Sequence, residues 1–158
     1  MASIRKEIQT SASPEQVWAA LRDVGALHTR LVPGFVVDTR LDPGERIVTF
    51  GNGMVVREPI VDINDELRRV AWSAIGGPLT HYNASAQVLV DANNRTSVVW
   101  IADLLPNEAA DHIDLMMVQG MAAMKATLDT LADREQVVRE GADPGKASSE
   151  SRVIRPED

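Results

Sequence analysis

The chain has 158 residues, 44% of them hydrophobic, which suits one domain with a sizeable core and leaves no room for a second. A formal net charge of −7, a sequence pI near 4.9 and the lack of any Lys/Arg stripe disfavour a nucleic-acid or anionic-membrane surface. With no cysteine, a disulfide framework, thiol catalysis and thiolate metal sites are all excluded, and the histidines His28, His81 and His112 show no ligand spacing.

No metal and no cofactor is therefore expected. The N-terminal MASIRKEIQT lacks an apolar signal core, and no apolar run approaches the roughly 18 residues of a membrane span. The sequence reads as a cytoplasmic protein with no membrane insertion.

Residues 2–10 alternate weakly, with Ile4 and Ile8 on one side and Arg5, Glu7 and Gln9 on the other, as an edge strand would. Ser13, Pro14 and Gln16 then form a helix start with a capping box. Val17, Trp18 and Leu21 supply its buried side, and the helix ends before Gly25. Residues 26–31 read as a second short helix stopped by Val32-Pro33-Gly34.

From Phe35 the period becomes two. Strands are expected at 35–41 and 46–50 around the Asp42-Pro43-Gly44-Glu45 turn, then at 54–63, 68–75, 79–91 and 96–104. Turns at Gly51-Asn52-Gly53, Asn64-Asp65, Gly76-Gly77-Pro78 and Ala92-Asn93-Asn94 separate them, which describes an antiparallel meander.

Pro106 opens a long helix closing near Leu131. Ile113, Met116, Met117, Met121, Met124, Leu128 and Leu131 form its stripe, and Gly120 falls on the same face. Methionine fills irregular gaps, and a mid-helix glycine costs about 1 kcal/mol against alanine, so a close approach is expected at Gly120. Asp103 is read as a cap for this helix. Residues 133–158 are charged and poor in large apolar residues, so beyond a further turn or two they read as a disordered tail to a domain spanning 1–132.

The order is one strand, two short helices, six strands and one long helix. A strongly curved antiparallel sheet of about seven strands gripping the last helix, an α+β architecture, accounts for it. Inner positions filled by Ala74, Ala84, Ala86 and Ala102 leave room between sheet and helix. That room is the candidate pocket.

This order, the Pro14-Glu15-Gln16-Val17-Trp18 helix start and the amphipathic last helix resemble the START-like, Bet v 1-like (SRPBCC) superfamily, and within it the bacterial polyketide cyclase/dehydrase group. The resemblance covers Ser3 to Leu131 and implies a helix-grip fold with an internal cavity. A narrower likeness joins Gly51-Asn52-Gly53 through Glu58, Asp62 to Glu66, Arg68-Arg69-Val70, Ile75-Gly76-Gly77 and Leu79 to Tyr82 to the gate and latch of plant abscisic-acid receptors. It implies that Gly51, Asn52 and Gly53, with Gly76, Gly77, Pro78 and Leu79, form gate loops at the cavity mouth. The latch is shorter here and the hormone-anchoring lysine has no clear counterpart, so hormone binding is not implied.

Glu58 lies among Val56 and Ile60 on an apolar face, where a carboxylate lines a pocket or joins an ion pair with Arg57 or Arg69. It also matches a ligand-contacting glutamate of the receptor group. Tyr82 shares parity with Ala84, Ala86 and Val88, and Trp72 with Val70 and Ala74, so both rings face pocket or core. His81 has outward parity unless a bulge intervenes, and His28 and His112 read as solvated.

The expected ligand-binding set is Val56, Glu58, Ile60, Trp72, Ala74, Tyr82, Ala84, Met116, Met117, Gly120 and Met124. The leading reading is a binder of a small hydrophobic molecule of lipid, polyketide or isoprenoid type. The alternatives are a cyclase or dehydratase using Glu58 with Tyr82 or His81 as acid and base, and a ligand-gated interaction module or homodimer.

Overall fold

A computed structural model describes residues 1–142 and forms one seven-stranded antiparallel sheet closed over a long helix. The strands are β1 (Ala2–Thr10), β2 (Val36–Asp42), β3 (Glu45–Phe50), β4 (Val55–Asn64), β5 (Arg69–Ser73), β6 (His81–Val90) and β7 (Thr96–Leu105). Between β1 and β2 stand helix α1 (Pro14–Arg22) and a π-helical turn (Leu27–Leu31), and helix α2 (Ala110–Gly141) follows a 3-10 turn (Asn107–Ala109). The sheet order is β1-β7-β6-β5-β4-β3-β2, so every neighbour after β1 is also a sequence neighbour. This is the helix-grip fold expected from the order of elements.

The sheet bends at β4. Its first half, Val55–Pro59, pairs with β3, and its second half, Ile60–Asn64, pairs with β5, with the register slipping between Ile60 and Asp62. A second slip between Val36 and Asp38 curls the β2 edge. Such bulges bend a strand and increase its twist. Gly44, with φ of +75°, makes the β2–β3 turn that Pro43-Gly44 predicts.

Helix α1 has the predicted capping box: the Gln16 amide donates to Ser13 Oγ at 3.1 Å and the Ser13 amide to Gln16 Oε1 at 2.8 Å. Its Trp18 indole and Arg22 both donate to Asp65 at 2.9 Å, fixing the helix to the β4–β5 turn.

The apolar stripe of α2 buries Met117, Met121, Met124 and Leu128 against the sheet. At Gly120 an added Cβ would stand 2.9 Å from the Trp100 ring and 3.0 Å from the Phe35 ring, which is the close approach expected there. Near the end of the stripe, Asp129 accepts from the Thr10 hydroxyl at 2.7 Å, the Ser11 amide at 3.1 Å and Lys125 at 3.0 Å, while Lys125 also donates to the Gln9 carbonyl at 2.8 Å. This clasp joins the end of β1 to α2.

Three expectations need correction. The helix runs ten residues past Leu131, to Gly141, because residues 132–141 contain no helix breaker before that glycine. The rest of the expected tail, 143–158, lies outside the described residues. Asp103 does not cap the helix: it is a β7 residue paired with Ser3 and Asn83, and neither the 3-10 turn nor α2 has a side-chain cap. The second short helix is one π turn, closed by the Val32 amide donating to the Leu27 carbonyl at 2.8 Å.

Two predictions follow from this frame. Gly120→Ala gains helix propensity but drives a methyl into Trp100 and Phe35, so a net loss of about 1–3 kcal/mol is expected in urea unfolding. Asp129→Asn should cost about 1–2 kcal/mol at neutral pH. Partial burial works against the Asp129 charge, but the Thr10, Lys125 and Ser11 hydrogen bonds outweigh it and hold the carboxyl below its usual range. The folded state thus binds fewer protons than the unfolded one in acid. The stabilisation is complete above the ordinary carboxylate range and is lost as pH falls through the folded value, so the two proteins should converge in strong acid.

Candidate functional site

Between the bent sheet and α2 lies a cavity of about 170 Å³. From the sheet, Val56, Glu58, Trp72, Ala74 and Tyr82 line it, and from α2 come Met116, Met117 and Met124. Leu21, Leu27 and Leu31 from α1 and the π turn also line it, as do Gly76, Gly77, Pro78 and Leu79 after β5. The two predicted gate loops part company here. Gly51 and Asn52 line a separate hollow of about 340 Å³ with Gly34, Phe35, Phe50, Met116, Gln119 and Ala123, and Gly53 borders neither hollow.

Three predicted site residues lie off the cavity. Gly120 is covered by Trp100 and Phe35; Ile60 sits past the bend, paired with Trp72; Ala84 is buried in solid core, in register with Trp72 and Ala102. His81 is exposed and pairs in unbroken register with Leu105, so no bulge turns it inward. His112, expected in solvent, is exposed but also borders the cavity. His28 is half-buried, and its Nδ1 is enclosed without a partner.

The partner of Glu58 is Arg46, not Arg57 or Arg69. Arg46 Nε donates to Glu58 Oε1 at 2.8 Å, and the two residues are only 3% and 7% exposed. Arg57 instead faces outward to Glu45 and Asp42. Arg46 shares inward parity with the fully buried Val48, and the Gly51–Gly53 reversal sets it directly opposite Glu58 across β3 and β4. Counting back from that turn pairs residue 46 with residue 58, a signal legible in the sequence but overlooked because an arginine at a strand start normally faces water.

The guanidinium also lies over the Trp72 ring, 5.1 Å from its centroid, and donates to the Val24 carbonyl at 3.4 Å. Burial pushes the Glu58 carboxyl above its usual range, while Arg46 and the Trp72 indole oppose the shift. The Tyr82 hydroxyl is raised by burial and by the Glu58 charge, with Trp100 and Arg46 opposing. Trp100, which also lines the cavity, has its buried indole N–H beside the Tyr82 hydroxyl but outside hydrogen-bond geometry, so that donor is not satisfied. The cavity is thus mainly apolar, with one charge-balanced pair, one phenol and one indole donor on its wall and the exposed His112 imidazole at its border.

Breaking a buried pair on one side strands the other charge. Arg46→Met or Glu58→Leu alone is expected to cost about 3–5 kcal/mol, and the two together far less than their sum, measured as a double-mutant cycle in denaturant.

A curved sheet enclosing a hollow against its terminal helix defines the class of helix-grip, START-like proteins. This chain belongs to the family described as polyketide cyclase / dehydrase and lipid transport, which it matches over residues 1–135. Among solved structures it is similar to the protein XoxI from Bacillus cereus, with 22% identity over 81% of this chain and 96% of that one and a TM-score of 0.72. Norcoclaurine synthase from Thalictrum flavum, in complex with a transition state analogue, shares 20% identity over 85% and 96% of the two chains, with a TM-score of 0.65. A START superfamily protein from Mycobacterium smegmatis shares 10% identity over 84% and 97%, with a TM-score of 0.62. No curated protein matches the sequence. Among the described residues no helix is long and apolar enough to cross a membrane.

Proposed function

We propose that this protein binds a small, mainly apolar molecule with a neutral polar end in the cavity between the sheet and α2, admitted past Gly76–Leu79. The observation that carries this reading is the charge balance of the cavity wall. Arg46 is already engaged by Glu58, so apart from the exposed His112 imidazole at its border the wall offers no unpaired ionisable group to an anionic or cationic guest. Removing a charged ligand from water without a free counter-charge is costly, whereas an alcohol or carbonyl oxygen can accept from Trp100 Nε1, which lacks a partner. Met116, Met117 and Met124 give the opposite wall an adaptable apolar surface.

The same groups favour binding over acid-base turnover. Glu58 is held by a guanidinium, Tyr82 keeps its proton more tightly than a free phenol, and His81 faces away from the cavity. A general acid or base works best with its pKa near the operating pH. Burial moves Glu58 in that direction, but its carboxylate is occupied by Arg46, and neither Tyr82 nor His81 is poised as the second group. The family's lipid-transport side is therefore the better fit, with an aliphatic or isoprenoid alcohol or ketone as the ligand type.

The test is titration with the neutral fluorophore N-phenyl-1-naphthylamine, with native mass spectrometry of the protein as purified from cells. A saturable fluorescence rise and a co-purified neutral small molecule are expected. Ala74→Phe, at the mouth end of the cavity, should weaken dye binding by about tenfold or more while leaving the unfolding midpoint nearly unchanged. Unaltered binding by that variant would place the dye elsewhere and reject the assignment.

A further inference from the structure

The inner cavity and the outer hollow share three wall residues: Phe35, Phe50 and Met116 border both. We propose that the two hollows are successive segments of one tunnel, and that these three side chains form an internal gate through which the ligand's apolar tail passes to the outer segment. The proposal rests on the reading that the inner cavity binds the ligand, and it adds the ligand's shape: a polar end beside Arg46–Glu58 and a long tail directed past Phe35.

Size is the first argument. The inner cavity, at about 170 Å³, is smaller than the roughly 300–1,000 Å³ of ordinary ligand sites, and the outer segment of about 340 Å³ brings the pair into that range. The second is the nature of the partition. Phe35 and Phe50 meet edge to face, with centroids 5.4 Å apart and planes at 79°, and both rings are only half-buried. Met116 completes the wall with an unbranched chain that changes rotamer readily.

The backbone around the gate is fixed, which leaves the side chains as its moving parts. The Gly51 amide donates to the Phe35 carbonyl at 2.9 Å, and a Cβ on Gly51 would stand 2.5 Å from the Gly34 carbonyl oxygen, so the two loops are knitted tightly together. The outer segment is floored by Phe35, Phe50, Met116 and Ala123 and carries no ionisable side chain, with Gln119 and Asn52 as its polar groups. That lining suits an uncharged alkyl or prenyl tail.

The experiment is displacement of N-phenyl-1-naphthylamine by 1-hexanol, 1-octanol and 1-dodecanol, for the parent protein, Gln119→Trp and Ala123→Phe. Both substitutions fill the outer segment from positions that do not line the inner cavity. Parent affinity should climb through 1-dodecanol by about three- to fourfold per methylene. Each variant should keep the parent's affinity for 1-hexanol and lose about tenfold or more for 1-dodecanol. An affinity that stops rising at 1-octanol in the parent, or variants that bind 1-dodecanol as the parent does, would overturn the tunnel while leaving the inner site standing. If 1-hexanol itself fails to displace bound dye, the inner site falls and the tunnel with it.

Discussion

A straight helix cannot lie flush in a sheet that turns sharply along its length, and the rest of this structure depends on that mismatch. The bend is set at β4, where one strand hands its hydrogen bonds from β3 to β5 across a slip in register. The helix makes a close contact where it carries no side chain, at Gly120 against Trp100 and Phe35. Away from that point, Ala74 and Ala86 present short side chains to the space that Met116, Met117 and Met124 line from the other side. The hollow left over is therefore a product of topology and side-chain volume together.

The placement of Arg46 and Glu58 follows from the same bend. Both lie on the concave side of the β3–β4 hairpin just before the sheet turns, where their charges are withdrawn from water but face an apolar space instead of a solid core. Replacing such a pair with packed hydrocarbon is often neutral or stabilising, so stability alone is a poor reason for its presence. A polar mark on an otherwise oily wall gives a guest a preferred orientation, which hydrocarbon packing would not supply.

Much of this architecture was legible because its signals are local. Turn residues separated the strands to within a few positions, Ser13 and Gln16 announced α1, and the spacing of Met117, Met121, Met124 and Leu128 with Gly120 gave the buried face of α2. What escaped depends on relations between distant segments. Nothing local marks Arg46 as buried; only the register across Gly51–Gly53 sets it against Glu58. The parting of the gate loops between two hollows follows from how the Phe35 loop knits to Gly51, and no periodicity encodes that contact. Asp103 misled because a carboxylate shortly before a helix resembles a cap until the strand is seen to continue to Leu105.

The antiparallel partnership of β1 with β7 joins the first strand of the chain to the last strand of the sheet, pairing Ala2 with Leu104 through to Thr10 with Thr96. Every other ladder in the sheet links sequence neighbours and needs only a short loop to close. During synthesis the opening segment must wait, without its strand partner, until nearly the whole sheet has left the ribosome. The Lys125–Asp129 clasp then seats α2 on that late-arriving edge. Closing so long a loop carries a larger entropic cost than closing a hairpin, and this makes docking of the N-terminal strand the natural slow step of folding. The cavity between sheet and helix takes its final form only when the two ends of the domain have met.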